Sequence, residues 1–118
     1  MRLPNAEHAI VDIRKLRDYC LNPDHPEGRH KARVFRAALG ITQADAMLLQ
    51  RALHDSASQS DAAVELGEDR YGTRYSLDFE MRVGARWAVV RSGWVVLRSD
   101  EIPRLTTCYV LQTEEEGQ

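Results

Sequence analysis

Cysteine is scarce in this chain: Cys20 and Cys108 are the only two among 118 residues, far apart and without any CxxC pair. A disulfide-stapled secreted domain of this length would carry several paired cysteines, and a thiolate zinc site needs closer spacing. Both therefore read as small buried apolar residues. The four histidines, His8, His25, His30 and His54, include no helical i, i+4 pair, so no metal site is expected. Seven glycines are scattered, with no glycine-rich strand-to-helix junction to cradle a nucleotide, and no cofactor is expected. No run approaches the ~20 apolar residues of a membrane span. A dominant charge is missing too. Sixteen Lys and Arg against eighteen Asp and Glu leave a net charge of −2, so no overall field draws the protein to nucleic acid or an anionic membrane. The opening Met1-Arg2-Leu3-Pro4-Asn5 leads directly into polar sequence, and the expectation is a cytoplasmic chain without a leader.

What is present suffices for one core. A 43% apolar and 29% charged composition over 13.4 kDa suits a single domain, read here as residues 1–113, with 114–118 as an acidic, disordered tail. The charge is unevenly spread. Arg29-His30-Lys31-Ala32-Arg33-Val34-Phe35-Arg36 holds four fixed positive charges and no negative one, the mark of either a solvated helix face or a basic patch.

Periodicity divides the chain into a helical half and a strand half. Asp12 suits an N-cap for a helix to Leu21, with Ile13, Leu16 and Cys20 on one side. Two prolines and a glycine make 22–28 a loop. A second helix spans Arg29 to Leu39 and stops at Gly40; Val34, Phe35, Ala38 and Leu39 form its buried stripe, Lys31 shares their side, and Arg29, Arg33 and Arg36 look outward. Thr42 caps a third helix from Gln43 to about Ala57, where a serine-rich stretch breaks the pattern. Four strands follow: Ala62 to Leu66, Arg74 to Val83, Trp87 to Arg98, and Arg104 to Leu111. Short connections make them an antiparallel meander, and helices before strands predict an α+β fold.

Two groups of residues could carry chemistry. His25-Pro26-Glu27-Gly28-Arg29-His30-Lys31 places two imidazoles and an ammonium at a loop-to-helix junction, an arrangement suited to phosphate chemistry. The alternative is that His25 satisfies a loop carbonyl and Lys31 snorkels. In the sheet, Arg91 interrupts an apolar strand, either paired with Asp78 or Glu80 or held for an anion. Thr107 and Tyr109 share a face of the last strand, with Arg104 at its entry. Ser92 beside Gly93 falls in a strand rather than in a nucleophile turn.

Leu3-Pro4-Asn5-Ala6-Glu7-His8-Ala9, the stretch Lys15 through Gly28, Tyr71-Gly72-Thr73, Val90-Arg91-Ser92-Gly93-Trp94 and Pro103-Arg104-Leu105-Thr106-Thr107-Cys108-Tyr109 resemble a small bacterial domain family of unassigned function. Such domains occur alone or at the ends of polymorphic toxins and phage-head proteins. The layout also resembles the barnase–EndoU–colicin–RelE (BECR) superfamily, mostly metal-independent ribonucleases checked by a cognate antitoxin or immunity protein. That resemblance implies His25, Lys31, Arg91 and Thr107 as catalytic residues, and His30, Arg29, Arg104 and Tyr109 as contacts to an RNA substrate. A non-catalytic interaction module with the same fold is the competing expectation.

Overall fold

Alternation along residues 74–83 dictates the centre of the molecule. Tyr75, Leu77 and Met81 are buried and Phe79 and Val83 partly so, while the even-numbered residues between them point to the other face. The computed structural model describes residues 1–111; the expected tail at 114–118 lies outside them. Four strands, β1 (Val64–Glu68), β2 (Gly72–Val83), β3 (Arg86–Leu97) and β4 (Pro103–Val110), pair antiparallel in the order β1-β2-β3-β4. This is the meander expected, preceded by helices as expected. Gly84 and Ala85 join β2 to β3, pairing Val83 with Arg86. Gly84 sits at φ 61, the positive value that a two-residue hairpin favours at its first turn position.

The helical half covers one face. Helix α1 (Ile13–Lys15) runs on into a π-helical turn, Leu16–Cys20, in which Leu21 N–H donates to Leu16 O at 2.8 Å. Asp12 caps it as expected, accepting from Arg14 N–H at 2.9 Å. Helix α2 (Arg29–Leu39) ends at Gly40 with φ 71, and packs against β3 and β4. A 3-10 turn, Gln43–Asp45, leads into α3 (Ala46–Gln59), with Thr42 N–H donating to Asp45 at 2.9 Å. The serines do not end α3 at Ala57. The hydroxyls of Ser56 and Ser58 donate back to Leu53 O and Asp55 O, within the last turns they were expected to break. Trp94, Phe35, Leu16, Leu49, Leu53, Leu77 and Val90 are fully buried between the layers.

Strand β1 begins two residues later than expected and bulges between Glu65 and Gly67, with every residue exposed. At the opposite edge, Ile10 forms a parallel bridge with Arg104 and so covers the start of β4. Ser92 is fully buried; its hydroxyl donates to Leu77 O at 2.7 Å and accepts from Trp94 Nε1 at 2.9 Å. It serves the core. No helix of the described residues is long and apolar enough to cross a membrane.

Candidate functional site

Register alone sets the first part of the site. Asp78 pairs with Arg91, and Arg91 with Tyr109, so three polar side chains form a row across β2, β3 and β4 on the face away from the helices. Arg91 grips Asp78 as a fork, Nε to Oδ1 at 2.8 Å and Nη2 to Oδ2 at 2.9 Å. Both side chains keep about two-fifths of their surface exposed, 42% and 38%, so the pair stands at the surface. The Asp78 hydrogen bonds and charge, then Tyr109, push the guanidinium further above its usual value, keeping it charged.

Two residue pairs along, on the same face, Gly93 forms a floor. With no side chain there, a cavity of about 200 Å³ opens between Arg74, Ser76, Arg91, Thr106, Thr107 and Tyr109. A β-bulge shapes its far wall: Trp94 pairs with Leu105 but Gly93 with Thr107, leaving Thr106 as the extra residue. In consequence Thr106 Oγ1 lies 2.9 Å from where a Gly93 Cβ would stand, and Thr107 presents its methyl at 3.5 Å. The Thr107 hydroxyl oxygen is buried without a hydrogen-bond partner, beside the Cys20 thiol. Alternation put Thr107 on the face of Tyr109, where its methyl now stands; the bulge adds the Thr106 hydroxyl beside it.

The helical half reaches this groove around the β4 edge. His25 Nδ1 accepts N–H bonds from Glu27 at 3.0 Å and Gly28 at 2.9 Å, which closes the 22–28 loop. With Nδ1 so occupied, the neutral ring carries its proton on Nε2. Gly28 is packed against the Tyr19 carbonyl, where a Cβ would come within 2.1 Å of the oxygen. His25 meets the Tyr19 ring edge-on, centroids 4.8 Å apart at 86°. Lys31 Nζ donates to the Tyr19 hydroxyl at 3.0 Å and lies 5.9 Å from the centre of the Tyr109 ring. The bond to Tyr19 raises the Lys31 value above that of an ordinary lysine and outweighs its partial burial, so the ammonium stays charged. Behind it, Cys20 and Cys108 are buried and not joined as a disulfide. Contact with the Cys108 thiol, helped by the Lys31 charge, lowers Cys20; Cys108 is raised in return.

The expected site residues thus divide. Lys31, Tyr109 and Arg91 come together in sequence, His30 stands exposed on the rim of a hollow it shares with Lys31 and Tyr109, and His25 supports Lys31 through Tyr19. Arg29 turns away, its Nη1 donating to Pro26 O at 2.8 Å. Arg104 is bound to Asp100, five residues or ~16 Å along β4 from Tyr109. Sequence reasoning missed Tyr19, Thr106 and Arg74. Arg74 was legible from the β2 alternation, whereas Tyr19 and Thr106 follow from a π turn and a bulge with no plain sequence signal. Among the described residues, no three of His, Cys, Asp and Glu converge as metal ligands.

These features define an α+β domain with an arginine- and hydroxyl-lined hollow on the sheet face away from the helices, and a helix-borne lysine in a neighbouring hollow that shares Tyr109 with it. The chain belongs to the DUF6883 family, a domain of unknown function whose model matches residues 2–112. Its structure is similar to one chain of a contact-dependent growth inhibition toxin–immunity protein complex from Klebsiella pneumoniae 342. That chain is 15% identical, with a TM-score of 0.67 over 92% of this chain and 98% of its own. No curated protein matches in sequence.

Proposed function

We propose that this domain is a metal-independent endoribonuclease of BECR-like, toxin type, acting on RNA or tRNA in the cytoplasm and controlled by a cognate antitoxin or immunity protein. The observation that carries this reading is the row Lys31–Tyr109–Arg91: Lys31 Nζ lies 5.9 Å from the Tyr109 ring centre and Tyr109 is the cross-strand partner of Arg91, so the helical half and the sheet meet at Tyr109. Two fixed cations on either side of a tyrosine suit a pentacoordinate phosphate, whose extra negative charge they would stabilise. The ribose 2′-oxygen attacks the adjacent phosphorus, the bond to the 5′-oxygen breaks, and a 2′,3′-cyclic phosphate and a 5′-hydroxyl result. The proton lost by the 2′-hydroxyl returns on the 5′-oxygen. His30, exposed at the rim, is the imidazole free to carry it. His25 acts as a positioning residue for Tyr19 and Lys31, and Thr106 offers the groove hydroxyl. The fold shared with a member of a toxin–immunity complex supports the toxin-like role and a small protein partner.

A second reading, a non-catalytic interaction domain, draws on one observation: Asp78 already neutralises Arg91. Inducible expression in bacteria separates the two. Wild type should slow growth and cleave total RNA, and Lys31→Ala and Arg91→Ala should each relieve both effects. Normal growth with intact RNA at good soluble expression of the wild type would sink the enzymatic reading.

A further inference from the structure

Helix α2 has two working flanks. Lys31 serves the groove, while Arg29, Arg33 and Arg36, spaced i, i+4 and i+7, line the opposite side and are all exposed. Their Cα atoms advance along the helix axis by ~6 Å and then ~4.5 Å. Where the helix stops at Gly40, the missing side chain makes room for Arg86 of the β2–β3 hairpin, whose Nη1 comes 3.1 Å from the position a Cβ would take. Between helix and hairpin lies an open trench of about 570 Å³, lined by Arg33, Arg36, Ala37, Gly40 and Arg86. A hollow of about 240 Å³ continues it past Arg33 and Arg36 to Arg29.

Among the described residues, none of these four arginines forms an ion pair, although six other arginines do. Nor does the trench follow from a basic protein, since the chain as a whole carries −2. Like charges one helical turn apart repel, so the array costs stability until an anion occupies it. The trench itself offers no large apolar or aromatic anchor of the kind that centres a protein interface, and of the apolar residues lining the hollow beyond it, Leu21 and Ile41 are buried in the core. It offers only guanidinium forks, which match phosphate oxygens in pairs.

We infer that this trench binds the phosphate backbone of a folded RNA, a second contact on the far flank of α2 from the groove; that the polyanion is RNA rests on the ribonuclease reading. The probe is a fluorescein-labelled RNA hairpin with 2′-O-methyl riboses, which cannot be cleaved by 2′-attack, followed by anisotropy over a series of salt concentrations. Arg33→Gln/Arg36→Gln should weaken binding by about tenfold or more and reduce the slope of log K against log salt by about 1.5, the share of two phosphate contacts. Both side chains are exposed and repel one another, so thermal unfolding of the free glutamine variant should hold or rise slightly; Arg33→Lys/Arg36→Lys should keep most of the slope. An unaltered affinity and slope in the glutamine variant would overturn the inference. So would displacement of the hairpin by polyglutamate as readily as by unlabelled RNA, an outcome that points to an acidic protein instead. The two readings fail separately. Trench-dependent binding without cleavage of any RNA by the wild type removes the enzyme and leaves the trench, and cleavage with a slope indifferent to these arginines does the reverse.

Discussion

Replacing Asp78 by asparagine tests what the fork on Arg91 is for. Asparagine keeps the shape and one acceptor oxygen, but sets an amide N–H₂ against one guanidinium N–H, so one of the bonds at 2.8 and 2.9 Å is lost along with the counter-charge. Because the two side chains are 42% and 38% exposed, solvent screens the pair, and its loss should cost about 1 kcal/mol or less. For a chain of this size that is a fall in Tm of about 4 °C. The effect on catalysis should be larger than on folding. On the ribonuclease reading, an Arg91 no longer gripped by Asp78 loses its fixed place beside the phosphate, and about 1.4 kcal/mol of lost transition-state stabilisation is a tenfold fall in rate. Substrate binding should hold or improve, since the variant gains net positive charge, so the loss should fall on kcat rather than KM. The assay is cleavage of a labelled RNA by purified wild type and Asp78→Asn, beside thermal melts of both. A loss above about 3 kcal/mol of stability would show the pair to be a buried structural one, against the exposure that supports this reasoning. Wild-type cleavage by Asp78→Asn, with Arg91→Ala inactive, would show that the fork does not position Arg91.

Ser92→Ala should destabilise the fold by about 1–3 kcal/mol, because it leaves the buried Trp94 Nε1–H without an acceptor. Urea unfolding should show a lowered midpoint at unchanged slope, and a change under about 0.5 kcal/mol would contradict the hydrogen-bond assignment. Stability should also fall in acid. Asp69 is held below the usual carboxylate range by N–H donors from Tyr71 and Gly72, and Asp100 by Ile102 N–H and then Arg104. Their folded values lie below the unfolded ones, so their contribution is complete above the ordinary value of about 4 and disappears as pH falls through the folded values. Asp69→Asn keeps an acceptor but no titration, and urea midpoints between neutral pH and pH ~3 should shift less for it than for wild type. An equal shift in both would rule Asp69 out as a source of acid sensitivity.

Much of the fold was legible because it rests on short-range rules. The two faces of β2 and of β3 around Arg91, the Gly40 stop and the Asp12 cap each follow from a few neighbouring residues. Errors came where a side chain bonded back into its own element, as Ser56 and Ser58 do in α3, or where an extra residue entered a strand. The site was legible only in pieces. Lys31 stands on the inner side of its helix for reasons visible in periodicity, and Arg91 marks itself by interrupting an apolar strand.

By itself, then, the amino-acid order determined an α+β division, the strand faces and the residue types available for phosphate chemistry, because periodicity and turn residues act over a few positions. Tertiary structure decided which of them meet. Cross-strand register set Asp78, Arg91 and Tyr109 in a row, a bulge brought the Thr106 hydroxyl beside Gly93, and helix packing brought Tyr19 and Lys31 to the same edge. It also carried Arg104 and Arg29 away. Such contacts join residues tens of positions apart, and they depend on how whole elements pack, which no local pattern encodes.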